Sequence, residues 1–422
     1  MSAYDDLQNH IARLNDILNV LNILKWDSRT QMPPGGSETR GYQLATLSGL
    51  AREHFTGDAT ARLLDAAEAE VASEDPDSYR VRAVQQTRQY YEIVRRIPAD
   101  LLSRRATLAP VSEQVWHEAK QNNDFARFAP YLQKMLDLAK EQADAIGYEE
   151  HPFDALVFEY EPSMTASKLR ALFADLKAGL LPLLARIVQH DRPLEKDLWA
   201  QEYPVDKQRA FALEMAEKIG YDLSRGRLDI APHPFEISFT RQDVRITTRY
   251  NRKYFPMALF GTLHEAGHAL YEQNIDPALT RTALATDFLG QYAVGGTSYG
   301  AHEASSRLWE NQIGRSRAFW DVHYGRLREL FPEQLAGVDV DLFHRAVNRV
   351  KPSLIRVEAD EVTYNLHIML RVEIEMALLE GSLSIADLPD AWRARMREYV
   401  GVEPATDSQG ALQDVHWSGG SF

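Results

Sequence analysis

The sequence contains no cysteine among its 422 residues. This absence excludes disulfide bonds, thiolate zinc sites, iron–sulfur clusters and a cysteine nucleophile. Any metal ion that the protein binds must therefore be held by histidine, aspartate or glutamate side chains.

Basic side chains are in the minority, because 47 lysines and arginines stand against 61 aspartates and glutamates, which gives a net charge of −14. Nucleic-acid binding requires a clustered positive surface, so this composition argues against it. Most of the acidic excess is expected to be solvated surface, although acidic walls of a binding groove would favour cationic peptides.

Long apolar runs are absent as well. No segment approaches the roughly 18 apolar residues that a membrane-spanning helix requires. The first residues, MSAYDDLQNHIARLNDIL, are acidic and amphipathic and lack the basic start and apolar run of a secretory signal. We therefore expect a cytoplasmic protein that does not span a membrane.

Most of the sequence has the pattern of α-helices. Apolar residues recur at helical spacing over 14–24 and 169–180, and proline and glycine fall between helical segments. Residues 233–250 differ, because β-branched and aromatic residues alternate there with polar ones, which predicts a hairpin or small sheet. Since no repeat, low-complexity tract or long linker divides the chain, we expect residues 1–422 to form a single, mostly helical domain.

A metal-binding pattern follows the predicted sheet. His264, Glu265 and His268 form the motif H-E-x-x-H within the largely apolar segment 258–273. Residues four apart lie on the same face of a helix, so both imidazoles can hold one ion. The glutamate after the first histidine is placed to accept a proton from water that the ion activates. The motif therefore predicts a zinc-dependent hydrolase with Glu265 as general base.

A hydrolytic zinc site needs a third protein ligand. The variant with a third histidine is excluded, because Tyr271 and Asn274 occupy the glycine and histidine positions that it requires. The residues alone leave four carboxylates as candidates: Glu272, Asp276, Asp287 and Glu303. Glu272 lies one turn beyond His268 on the same helix, whereas Glu303 lies in a second predicted helix, from which a ligand closes a site best. We favour Glu303.

Six motifs occur in an order that is typical of one family. They are H-P-F at His233–Phe235, D-x-R-x-T at Asp243–Thr247, H-E-A-G-H at His264–His268, H-E at His302–Glu303, I-R-x-x-A-D at Ile355–Asp360 and G-x-x-Q-D-x-H-W at Gly410–Trp417. On these residues the sequence resembles the carboxypeptidase Taq family of zinc metallocarboxypeptidases over nearly its whole length.

The resemblance implies a fold and an activity. Members are mostly helical, with a small sheet beside the active site and a long, deep substrate groove like that of neurolysin and the peptidyl-dipeptidases. They remove single residues from peptide C-termini with broad specificity, use zinc or cobalt, and usually form homodimers. The resemblance implies one ion per chain on His264, His268 and Glu303, with Glu265 as general base.

An exopeptidase must also bind the terminal carboxylate of its substrate, and the planar fork of an arginine suits this task. Arg356 and Arg245 stand in family motifs and are the candidates, with Arg356 ahead. The alternative for Arg356 is an ion pair with Asp360, and the alternative for Arg245 is an ion pair with Asp243. Gln413 is expected to position the substrate backbone.

Two further residues are candidates for stabilising the oxyanion of the reaction, namely Tyr364 and His416. Their alternative roles are a hydrogen bond in the lining of the groove and a contact to a metal-binding carboxylate. Five residues of the motifs are expected to hold strands and metal ligands in place: His233, Asp243, Thr247, His302 and Asp360.

The sequence departs from the family pattern in three places. Ala304 and Ser305 stand where members usually have Ser-Gln, and residues 286–296 lengthen the segment before Glu303. The sequence also ends soon after Trp417, where members continue into further helices, so we expect a domain that is short at its C-terminal end. The alternatives to a carboxypeptidase are a peptidyl-dipeptidase or oligoendopeptidase with the same groove, and an inactive peptide-binding homologue.

Overall fold

The structure is a computed structural model that describes residues 2–289 and 298–422. Its backbone contacts form two compact units, Met1–Arg95 with Leu194–Val347 and Arg96–Pro193 with Asn348–Phe422. The single domain expected over residues 1–422 stays a prediction. The lengthened segment 286–296 lies mostly outside the described residues.

The first unit is built mainly from helices, which confirms the predicted fold class. Its helices are α1 (Ala3–Thr30), α2 (Ser37–Thr56), α3 (Asp58–Val71), α4 (Tyr79–Arg96), α9 (Val205–Lys218), α10 (Phe255–Gln273), α11 (Tyr299–Arg307), α12 (Arg317–Leu330) and α13 (Val340–Val347). Helix α1 begins at a capping box, in which Ser2 and Asp5 bond each other's backbone N–H groups.

The same unit contains a three-stranded sheet of β1 (Gly226–Ile230), β2 (Glu236–Thr240) and β3 (Asp243–Thr248) in the order β1-β3-β2. Strands β2 and β3 form the predicted antiparallel hairpin, and β1 pairs with β3 in parallel. The prediction over 233–250 did not extend to β1. Charged residues flank the single buried Leu228 of that strand, so it carries little strand signal.

Helix α10 lies between this sheet and the other helices of the unit. Pro256 lies in its first turn, a position that suits proline, and much of the helix is apolar. Leu263 on one face packs in a cluster with Trp320, whereas Ala266 on another face packs in a cluster with Ile246 of β3. Burial on both faces holds the helix that carries the H-E-x-x-H motif in one position.

The second unit contains α5 (Ala99–Asn122), α6 (Phe125–Ile146), α7 (Pro152–Val157), α8 (Ala166–His190), α14 (Glu361–Glu380) and α15 (Leu388–Tyr399). The apolar spacing over 169–180 correctly predicts helix α8. Its side chains are only partly core, since Phe173 is buried but Leu172 is 48% exposed. Over the described ranges, the chain has no helix with the length and apolarity needed to cross a bilayer.

Candidate metal centre

The structure brings His264, His268 and Glu303 together in the first unit. Both histidines point from one face of α10, and Glu303 lies on α11. Oε2 of Glu303 lies 3.2 Å from Nε2 of His268 and 3.6 Å from Nε2 of His264. Ligand atoms around a tetrahedral ion at ordinary zinc distances are about 3.4 Å apart. The three side chains, whose ligand atoms all lie within 4.8 Å of one another, therefore fit a single ion.

The other three carboxylates considered as ligands lie elsewhere in the first unit. Glu272 is fully buried and bonds His302, and Asp276 caps the short turn Pro277–Leu279 by accepting from Ala278 N–H. Asp287 interacts electrostatically with Lys25. Within the described ranges, Glu303 is the carboxylate that groups with the two histidines.

The second ring nitrogen of each histidine is bonded to the protein. Nδ1 of His264 lies 2.9 Å from Oε2 of Glu310. Nδ1 of His268 lies 2.7 Å from Nδ1 of His302, whose Nε2 lies 2.8 Å from Oε1 of Glu272. Ionised carboxylates only accept hydrogen bonds, so Glu310 places the proton of His264 on Nδ1. Glu272 likewise accepts from Nε2 of His302, so Nδ1 of His302 accepts the proton that His268 carries on its Nδ1. In the neutral forms of His264 and His268, the lone pair of Nε2 is then available for a metal ion.

No sequence motif predicts Glu310 or the relay through Glu272, whereas His302, predicted to support the ligands, contacts His268. Glu310 lies in a π-helical turn, Leu308–Ile313, that continues α11. The only sequence signal for Glu310 is its position seven residues after Glu303, which is two turns along the same helical face.

Ser305, one of the departures from the family pattern, forms a hydrogen bond between the two ligand-bearing helices. Its hydroxyl donates to the backbone carbonyl of Gly267 in α10 over 2.8 Å. This bond fixes the spacing between α10 and α11 at the level of His268.

The charges around the site favour a cation. Burial alone would lower the pKa of His264, but its bond to Glu310 and the surrounding carboxylates raise that pKa to about 9. Burial lowers the pKa of His268 to about 4. Burial would raise the pKa of Glu303, yet the bond from His268 and the charges of His264 and Arg307 hold it below 4.5.

Glu265 lies on the side of α10 that faces the sheet. Its side chain is buried and accepts a hydrogen bond from the backbone of Glu236 in β2, so the small sheet borders the site as predicted. Burial raises the pKa of Glu265 to about 7, with a further contribution from Glu303 and an opposing one from His264. A carboxylate with this pKa is suited to exchange protons near neutral pH.

The remaining predicted residues of the first unit stabilise its sheet. Arg245 makes two bonds of 2.8 Å to Asp243, and its guanidinium lies 4.3 Å from the ring centre of Trp26. The internal ion pair considered for Arg245 is therefore present. Thr247 Oγ1 bonds the backbone N–H and carbonyl of Phe235, which ties the H-P-F segment to β3, while His233 is exposed before β2.

Arg356, Asp360 and Tyr364 lie in the second unit, at the start of α14. Asp360 caps this helix by accepting from Val362 N–H and Thr363 N–H. Among the described side chains, Asp360 is not seen in an ion pair with Arg356. Arg356 instead donates from Nη1 to the Tyr364 hydroxyl over 3.2 Å. Its guanidinium has no carboxylate partner within the part of the chain that the structure describes.

The last motif forms a buried ionic network in the second unit. Arg371 Nε lies 2.7 Å from Asp414 and 2.9 Å from Glu375, which also accepts from the indole N–H of Trp417 over 2.7 Å. Asp414 in turn accepts from Nδ1 of His416 over 2.8 Å. The network anchors the motif and fixes the orientation of the His416 ring.

Gln413 in the same motif makes a hydrogen bond within its own loop. Its side-chain amide donates to the backbone carbonyl of Gln409. The structure therefore gives Gln413 a local structural bond, and a role in positioning substrate stays a prediction.

Comparison with known proteins assigns the family. The model of the carboxypeptidase Taq (M32) metallopeptidases matches residues 6–422. Thermostable carboxypeptidase 1 of Thermus thermophilus is 42% identical over 431 residues, covering 100% of this chain and 82% of the relative. Carboxypeptidase 1 of Bacillus subtilis is 39% identical over 412 residues, covering 98% and 80%.

A solved structure leads to the same family. The M32 carboxypeptidase from Deinococcus radiodurans superposes with a TM-score of 0.91 at 41% identity, covering 99% of this chain and 81% of that chain. The chain belongs to the carboxypeptidase Taq (M32) family of metallopeptidases.

Proposed function

We propose that this chain is a carboxypeptidase that removes single residues from peptide C-termini, at one zinc or cobalt ion held by His264, His268 and Glu303. The observation that carries the proposal is the convergence of these three ligand atoms within 4.8 Å. Membership in a metallopeptidase family supports a divalent ion at this position. Two imidazoles and one carboxylate form a ligand set that hydrolytic zinc sites use.

Glu265 is the proposed general base. A bound divalent ion polarises the scissile carbonyl and lowers the pKa of water. The Glu265 carboxylate then accepts the proton of the attacking water and passes it to the leaving amine. Its burial and raised pKa of about 7 support both halves of this transfer, since the group both gains and loses a proton readily near neutral pH.

Arg356 is the proposed binding group for the substrate's terminal carboxylate. Its guanidinium is oriented by the Tyr364 hydroxyl, and Arg245 is already engaged by Asp243. An arginine that is oriented by a neutral group keeps its charge available for an anionic ligand. The geometry thus favours Arg356 over Arg245. Gln413 is proposed separately as a contact to the substrate backbone.

Tyr364 is the favoured oxyanion donor. His416 donates its Nδ1 proton to Asp414, so the neutral ring presents an accepting Nε2 and donates from there only as an imidazolium. A tyrosine hydroxyl can both accept and donate hydrogen bonds, and that of Tyr364 accepts from Arg356. We propose, further, broad specificity for peptides with a free C-terminal carboxylate and a homodimer, following the family resemblance. A cytoplasmic location is also proposed.

Replacing Glu265 by Gln tests the assignment of the base. Glu265→Gln should bind Co²⁺ as the unaltered protein does and lose peptide hydrolysis by about 10²- to 10⁴-fold. Glu214→Gln is the matched control, because Glu214 forms ion pairs with Arg326 and Lys218 on the same unit. Retained hydrolysis in Glu265→Gln would contradict the assignment, and no hydrolysis by the metal-loaded unaltered protein would favour an inactive homologue.

A further inference from the structure

Arg307 at the end of α11 contacts two carboxylates of the metal centre at once. Its Nε lies 3.0 Å from Oε1 of Glu303, and its Nη1 lies 3.2 Å from Oε2 of Glu310. The three residues are four and three positions apart, so they share one face of the helix. The guanidinium is 23% exposed and Glu310 is 14% exposed, so the contact between them is only weakly screened by water, whereas Glu303 is 40% exposed.

The two oxygens of Glu303 have different surroundings. Oε2 faces the two histidine rings and also accepts from the Ser306 hydroxyl over 2.9 Å. Oε1 is the oxygen that accepts from Arg307. A carboxylate held in this way offers one oxygen to an ion, whereas a free carboxylate can offer both.

The π-helical turn Leu308–Ile313 places Glu310 beside Arg307 and His264. Gly314 N–H bonds the carbonyl of Trp309 over 2.9 Å, a bond that spans five residues. A side chain added to Gly314 would lie 2.7 Å from Leu263 and 2.8 Å from the Trp309 carbonyl, so the glycine lets the wide turn pack against α10. Turns of this kind are frequent at functional sites. Here the turn carries the carboxylate that bonds His264.

We propose that Arg307 is a positioning residue of the metal centre: it keeps Glu303 a one-oxygen ligand and holds Glu310 against His264. An ion bound there would have three protein ligand atoms and one open coordination position, which hydrolysis requires for water or substrate. This proposal rests on the proposed metal site and adds the group that limits its coordination number.

Co²⁺ in place of Zn²⁺ provides a readout that does not depend on activity. Four-coordinate Co²⁺ absorbs visible light more strongly than five- or six-coordinate Co²⁺. Arg307→Gln frees Oε1 of Glu303, so the visible absorption of the Co²⁺ protein should fall in intensity. Arg326→Gln is the matched control, because Arg326 on the same unit pairs with Glu214 and Glu329. Its Co²⁺ spectrum should match that of the unaltered protein.

An Arg307→Gln spectrum identical to that of the unaltered protein would overturn the proposal. Should Arg307→Gln fail to fold, Arg307→Lys decides in its place, because an ammonium lacks the fork that bonds both carboxylates. Its spectrum should also lose intensity, and an unchanged spectrum would overturn the proposal. Failure of the metal site itself is distinguishable, since the unaltered protein would then give the same Co²⁺ spectrum as His264→Ala.

Discussion

Gly267 of α10 lies directly against the backbone of Ser306 in α11. A Cβ atom placed on Gly267 would lie 2.6 Å from Ser306 Cα and 2.8 Å from the Ser305 carbonyl oxygen. Real side chains do not approach this closely, so only glycine permits this separation of the two helices. Because α10 carries both histidines and α11 carries Glu303, the contact sets the distance between the ligands.

Gly267→Ala should therefore disrupt the metal centre. Forcing the helices apart should cost about 1–3 kcal/mol of unfolding free energy and weaken Co²⁺ binding. Gly325→Ala on α12 is the control, because nothing lies within 4 Å of its added methyl group, and alanine is the better helix former. Thermal unfolding and chelator competition measure both effects, and equal Co²⁺ affinity in the two variants would contradict this account.

The relay behind His268 gives a second prediction. His302→Phe retains an aromatic ring but removes the bonds to His268 and Glu272, so the Zn²⁺ affinity should fall by about 10- to 100-fold. Tyr271→Phe serves as the comparison, because the Tyr271 ring contacts His302 at 4.5 Å and is retained in that variant. Competition with a chromophoric chelator measures the affinities. An unchanged affinity in His302→Phe would show that His268 needs no such support.

The carboxylate-binding role of Arg356 is testable through kinetics. Arg356→Gln should raise KM for peptides with a free C-terminus by about 10- to 100-fold, since a charge-assisted bond contributes about 1.5–3 kcal/mol. Arg245→Gln, which breaks the pair with Asp243, should lower the melting temperature and leave KM nearly unchanged. The opposite pattern, with KM raised only in Arg245→Gln, would assign the binding of the substrate carboxylate to Arg245 instead of Arg356.

His367 in α14 predicts a loss of stability in acid. Burial, and then the charge of Arg356, lower the pKa of this histidine to about 4 from 6.5, with Asp360 opposing. Between pH 6.5 and about pH 4, His367 is thus protonated in the unfolded chain but neutral in the folded chain. The contribution of His367 is therefore fully present above pH 6.5 and is lost as the pH falls toward 4.

Urea unfolding at pH 7 and pH 4.5 measures this effect. The unaltered protein should lose about 2 kcal/mol more unfolding free energy between the two pH values than His367→Gln does. Other titrating groups are common to both proteins and cancel in the comparison. Equal losses in the two proteins would mean that His367 is readily protonated in the folded state.

The site residues that the sequence predicts best are those related by a short spacing along one helix. His264, Glu265 and His268 follow from helical geometry alone, because residues four apart share a face. Glu303 was favoured among four carboxylates because it lies in a helix of its own, and it lies beside both histidines.

The supporting bonds were not predictable in the same way. The bond from His264 to Glu310 spans 46 residues, and the bond from His302 to Glu272 spans 30. Such contacts depend on how α10 and α11 pack, which depends on the close approach at Gly267. Strand β1 was missed for a related reason, since it is defined by its pairing with β3 and not by its own residues.

The most direct test of the proposed function is the identity of the first product. The Co²⁺- or Zn²⁺-loaded protein is incubated with one peptide in two forms, with a free and with an amidated C-terminus, and the products are followed by mass spectrometry. The account predicts successive loss of single C-terminal residues from the free form and none from the amidated form. Release of dipeptides, or internal cleavage of both forms, would contradict it.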